Sequence, residues 1–116
     1  MLGWNDPGAA IMNKYEVTIL RVYITEGESL LNNLLSLLKD KGCVRGVTVF
    51  RGVAGFGPTG VFHSSSLSDL SLDLPLVLEL FDEPSKIQRV AELIAQFVKP
   101  GHILLLPGQI YSDGMN

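Results

Sequence analysis

The sequence contains a single cysteine, Cys43, among 116 residues, so no disulfide can close within the chain. Its setting, Gly42-Cys43-Val44, reads as a small buried thiol entering a strand, and a reduced, cytoplasmic environment fits. Positive charge is scarce as well. Nine Lys and Arg against twelve Asp and Glu leave a formal charge of −3, which gives no reason to expect nucleic acid or an anionic membrane as the main partner. No apolar run approaches the ~18 residues of a spanning helix, so the chain is not expected to be membrane-embedded. The N-terminus lacks the basic-then-apolar order of an export signal. His63 and His102 are the only histidines, and neither has a second ligand at short spacing, so a metal centre is not expected. The run Ser64-Ser65-Ser66 reads as polar loop with no legible base beside it, and catalysis is not expected.

Against these absences, an apolar fraction of 47% and a charged fraction of 18% describe one folded domain. Residues 1–13, rich in turn formers, read as a flexible lead; Trp4, its one aromatic residue, reads as a disordered passenger or as docking onto a neighbouring subunit, and Met12 offers an alternative start. The domain is expected over 14–111, with 112–116 as a tail. Tyr15 to Thr25 is rich in β-branched and aromatic residues and predicts a strand. Its two faces, Thr18/Leu20/Val22/Ile24 and Val17/Ile19/Arg21/Tyr23, are both largely apolar, as in a strand covered on both sides.

Leucines at 30, 31, 34, 35, 37 and 38 predict a helix over 29–41, with Ser29 or a close neighbour as its cap and Gly42 as its left-handed end. A second strand is expected from Gly46 to Val53. A glycine- and serine-rich excursion follows over 54–73, then a third strand from Leu74 to Phe81. Asp82-Glu83-Pro84 reads as a helix start. The helix should run to about Val98 and bury Ile87, Val90, Ala91, Ile94, Phe97 and Val98. Ile103 to Leu106 reads as a fourth strand.

The order β-α-β-β-α-β is that of an α+β, ferredoxin-like sandwich: a four-stranded antiparallel sheet with both helices on one face. The face opposite the helices would then expose Val17, Ile19, Tyr23, Val77 and Phe81. That patch is large enough to call for cover by copies of the same chain. Arg21 and Glu79 share this face by alternation, and Arg51 joins them if its strand keeps register. Such a network reads as structural at a subunit interface, together with Tyr23 and Phe81.

The stretch from Gly46 to Ser85 resembles the PII-like proteins of the domain-of-unknown-function 190 family. It does so through Arg51-Gly52, Ala54-Gly55-Phe56-Gly57, Gly60, His63 and Leu72-Asp73-Leu74-Pro75. More distantly it is similar to the nitrogen-regulatory PII proteins, and the resemblance spans about 15–110. It implies a homotrimer with its sheets packed toward the centre. It also implies clefts between subunits that bind a small metabolite, such as an adenine nucleotide, and a loop that reports occupancy to a membrane transporter or an enzyme. Gly55, Phe56 and Gly57 match the start of that loop, and Gly101 falls in the turn before the last strand.

Two departures narrow this. The phosphate-binding loop of PII proteins is reduced here to Lys99-Pro100-Gly101-His102, with no Lys or Arg after Lys99. Residues 55–75 also hold no tyrosine to modify.

Gly55-Phe56-Gly57-Pro58-Thr59-Gly60 fits G-x-G-x-x-G literally, but a dinucleotide fingerprint needs a helix opening inside it. The continuation 61–73 holds five serines and no helical stripe. The glycines serve equally as a hinge or as a backbone nest for an anion. Between Arg51 and Lys86 there is no Lys or Arg, whereas Asp69, Asp73, Glu79, Asp82 and Glu83 all lie there. This weighs against ATP and favours AMP, ADP or a neutral ligand. The ligand-contact candidates are Arg51, Gly55, Phe56, Gly57, Gly60, His63, Lys99, Gly101 and His102. The competing readings are a ligand-free trimeric adaptor and a metal-responsive trimer of similar fold.

Overall fold

The computed structural model describes residues 12–25, 27–42, 44–57, 62–64 and 74–114, of which 62–64 by backbone only. The expectations for the lead and Trp4, Cys43, Gly60, the excursion over 65–73 and the last two residues fall outside the described residues.

Strand β1 (Asn13–Ile24) leads into helix α1 (Glu28–Leu37), which continues as a π-helical turn over Leu38–Gly42. Then come β2 (Thr48–Arg51), β3 (Ala54–Phe56), β4 (Phe62–Ser64), β5 (Leu76–Asp82), helix α2 (Pro84–Ile94) and β6 (Ile103–Ser112). The main sheet has the antiparallel order β2-β5-β1-β6, and β3 with β4 forms a separate two-stranded hairpin. The ferredoxin-like βαββαβ sandwich is therefore present, with both helices on one face and the hairpin inserted between β2 and β5.

One layer of side chains explains the fold. Leu20, Val22 and Ile24 of β1 and Leu76, Leu78 and Leu80 of β5 point to the helices. They pack with Leu31, Leu34, Leu38, Ile87, Val90, Ile94 and Val98 into a single buried cluster. Burial of each such side chain is worth about 1.5–3 kcal/mol, which holds both amphipathic helices to the sheet.

Helix ends depart from expectation. Gly27, at φ 91°, precedes α1, and no side chain caps it, so the Ser29 cap is not made. Gly42 is not left-handed; it lies buried in the π-helical turn. A Cβ there would stand 3.3 Å from Leu38 Cδ2, so its small size serves packing. Helix α2 begins as read, with Pro84 in its first turn and the Glu83 N–H donating to Asp82 Oδ1 at 2.8 Å. Asp82 Oδ2 is 3.4 Å from Lys86 Nζ, an ion pair by distance but without hydrogen-bond alignment. The helix stops at Ile94, so Phe97 is 51% exposed rather than buried, while Val98 keeps its place in the core.

Strand lengths differ too. Strand β2 is shorter than expected and leaves Val53 exposed. Strand β6 is much longer, pairing with β1 as far as Asn13↔Ser112. Pro107 is tolerated within it because β6 is an edge strand, where one row of N–H groups has no sheet partner. Gly108 lies opposite Val17; a Cβ there would stand 3.1 Å from Ile19 Cδ1, so the glycine makes room for the two β1 side chains.

Candidate functional site

Register determines which candidates share a surface. Antiparallel partners lie on the same face, so the open face carries three transverse rows: Phe81–Ile19–Leu106, Thr48–Glu79–Arg21–Leu104 and Phe50–Val77–Tyr23. Tyr23 and Phe81 are each 41% exposed on it, and Phe50 and Leu104 are also exposed. The expected apolar patch is present except for Val17, which is buried at 3% exposure because its side chain packs over Gly108, its cross-strand partner. It also includes Phe50, Leu104 and Leu106, which alternation along single strands did not assign to it.

In the middle of this face Arg21 Nε donates to Glu79 Oε1 at 2.6 Å, so the expected pair forms. The Glu79 carboxylate, first by hydrogen bond and then by charge, raises the Arg21 guanidinium further above its ordinary value. Arg45 lies 5.8 Å over the Phe81 ring, a cation–π contact at the margin of the patch.

Arg51 does not join this network. It is paired with Leu76, on the helix side of the sheet, and its Nη2 donates to Glu28 Oε1 at 2.5 Å. The glycines after it have a definite packing role. The Gly52 N–H donates to the Pro75 carbonyl at 2.7 Å, and a Cβ on Gly55 would stand 3.0 Å from Pro75 Cγ. The Arg51-Gly52, Gly55 and Leu74-Pro75 elements are thus one local structure: glycines that let the proline ring seat at the base of the hairpin. On the hairpin Gly55 stands opposite His63 and Phe56 opposite Phe62, with the Phe56 ring exposed. Gly57 follows directly.

The turn before β6 has its own geometry. Gly101, at φ 87°, is left-handed, a conformation a side chain would strain. It turns the His102 N–H toward the Lys99 carbonyl at 3.2 Å. The first β1–β6 rung is therefore incomplete on the backbone: the Tyr23 N–H donates to the His102 carbonyl at 2.9 Å, but no His102 N–H returns. The imidazole replaces it, with Nδ1 3.0 Å from the Tyr23 carbonyl. A carbonyl only accepts, so Nδ1 carries the proton. His102 therefore has a structural role in closing the sheet.

Arg51, the hairpin base and the Lys99–His102 turn lie at one end of the sheet, but not together. Arg51 and the hairpin base leave from the β2 edge, whereas Lys99, Gly101 and His102 belong to the β6 edge. Three strand spacings, about 14 Å, separate them. A shallow groove of about 180 Å³ does exist on the outer side of the helices, lined by Asn33, Ser36, Leu37, Asp40, Lys41 and Phe97, none of them a candidate ligand residue. Among the described residues no three His, Cys, Asp or Glu are placed to hold a metal ion, and no helix is long and apolar enough to cross a membrane.

Comparison with known proteins agrees with this architecture. A UPF0166 protein of Aquifex aeolicus is 38% identical over 81 residues, covering 66% of this chain and 76% of that protein. A UPF0166 protein of Methanocaldococcus jannaschii is 29% identical over 93 residues, covering 76% and 84%. Among solved structures, CPII of Thiomonas intermedia K12 bound to ADP and bicarbonate superposes with a TM-score of 0.63. The identity is 17%, over 91% of this chain and 95% of that one. A putative PII-like signaling protein of Thermus thermophilus gives 0.54 at 11% identity, over 87% and 91%. At these identities the structural likeness establishes the fold alone, that of PII-like proteins. The DUF190 family, described as "Uncharacterized ACR", matches residues 17–110, and the chain belongs to it.

Proposed function

We propose that this protein is a non-enzymatic, PII-like regulator that assembles as a homotrimer through the open face of its sheet. Its ligand is a small metabolite, with an adenine nucleotide as the leading candidate and AMP or ADP preferred to ATP. Residues 55–73 report occupancy of the site to a partner protein, a transporter or an enzyme. The observation that carries this reading is the open face itself. Tyr23, Phe50, Phe81 and Leu104 stand partly exposed around a central Arg21–Glu79 pair, an arrangement suited to cover by a second copy. The separation of the candidate ligand residues onto two sheet edges supports a site completed between copies. That CPII of Thiomonas intermedia K12 is described as bound to ADP, AMP and bicarbonate supports the ligand class.

Calorimetry of the assembled protein with AMP, ADP, ATP and cyclic nucleotides tests the reading. Binding of AMP or ADP tighter than ATP is expected, and no heat from any of them removes the nucleotide from it.

A further inference from the structure

Between Arg45 and Lys86 the sequence holds one Lys or Arg, Arg51, where β2 ends and the inserted segment begins. Among the Lys and Arg side chains, this stretch of chain offers an incoming anion Arg51 alone. The structure shows that cation already engaged, with Arg51 Nη2 2.5 Å from Glu28 Oε1. The contact crosses from the end of one element to the start of another, and it is made by a single guanidinium nitrogen. The pair is electrically neutral, so Arg51 as it stands offers an incoming phosphate little net attraction.

We infer that Glu28 is a built-in competitor for the anionic ligand: a phosphate or carboxylate reaches Arg51 by displacing the Glu28 carboxylate. This rests on the proposed ligand-binding reading and specifies what sets affinity at that site. Three observations carry it. The Arg51 and Glu28 side chains keep 43% and 42% of their exposure, so solvent and ligand reach the contact, and the attraction between them is weak and salt-screened. Among the described residues the guanidinium makes one N–H···O contact, and a phosphate that takes two parallel contacts from it outcompetes a carboxylate that takes one. Finally, Glu28 is not stranded when displaced. It occupies the first turn of α1, where a negative charge is favoured by the helix dipole with or without Arg51.

The test is calorimetric titration of AMP and ADP into the wild-type protein, Glu28→Gln and Arg51→Gln, with thermal melts to verify that all three are folded. Glu28→Gln should bind more tightly by up to about fivefold, the range expected for freeing an exposed ion-pair partner. Arg51→Gln should bind at least about tenfold more weakly, through loss of a charge-assisted contact. If wild type and Glu28→Gln bind with equal affinity, Glu28 does not compete and the inference fails, while the ligand-binding reading stands. If none of the three binds either nucleotide, both fail.

Discussion

Two phenylalanines make a matched experiment on how the protein assembles. Phe50 and Phe97 are each 51% exposed, but Phe50 lies on the open face of the sheet and Phe97 on the outer side of the helices. A phenylalanine presents roughly 200 Å² to water, so about 100 Å² of each ring remains to be buried by a partner. At ~25 cal/mol per Å², removing that area from an interface costs about 2.5 kcal/mol, or about 70-fold in the association constant. Aspartate in its place adds the cost of desolvating a carboxylate, so Phe50→Asp should dissociate the oligomer at micromolar concentration. Phe97→Asp removes the same exposed area from the other side and should leave assembly intact.

Sedimentation of the wild type and both variants, with circular dichroism to show that each is folded, decides the question. A well-folded wild-type monomer would refute the reasoning outright. Identical behaviour of the two variants would refute the assignment to the open face, and dissociation by Phe97→Asp alone would move the interface to the helices.

Two further expectations concern the turn before β6. Gly101→Ala places a side chain at φ 87° and should lower stability by about 1–2 kcal/mol, read as a shift of the urea midpoint at unchanged slope. His102→Ala removes the imidazole that bonds to the Tyr23 carbonyl and should cost about 1 kcal/mol in the same assay. His102→Asn, whose amide can still donate to that carbonyl, should recover most of the loss; equal losses from both would mean that the imidazole bond contributes nothing.

Strand faces are legible in the sequence wherever alternation is strong. Leu20, Val22, Ile24, Leu76, Leu78 and Leu80 fall on the helix side as read, and Arg21 meets Glu79 because two adjacent strands with clear alternation fix each other's faces. Arg51 departs from expectation for a physical reason. Its face depends on how β2 pairs with β5, and no tight turn links these strands; they are joined by a long excursion that leaves register unspecified. The hairpin inside that excursion is not legible because strands of three residues carry too few positions to show a period. Phe97 is exposed because a 3.6-residue stripe drawn through Ile94 assumes that the helix continues, and it ends there. Glu28 gives only a weak signal, an acid in a first turn, which usually reflects the helix dipole and nothing more.

The placement of the candidates ties assembly to binding. Arg51 belongs to one edge of the sheet and the Lys99–His102 turn to the other, so a ligand that touches both groups needs either a molecule spanning about 14 Å or a second subunit that brings its own edge across. The second arrangement predicts thermodynamic linkage. If the site is completed between copies, nucleotide binds the oligomer and stabilises it by mass action, and a change that splits the oligomer weakens binding without touching the ligand. Phe50→Asp should therefore lose nucleotide affinity in step with dissociation, whereas Phe97→Asp should retain both. Full nucleotide affinity in a Phe50→Asp monomer would instead place the whole site within one chain, and the two sheet edges would then have to act separately.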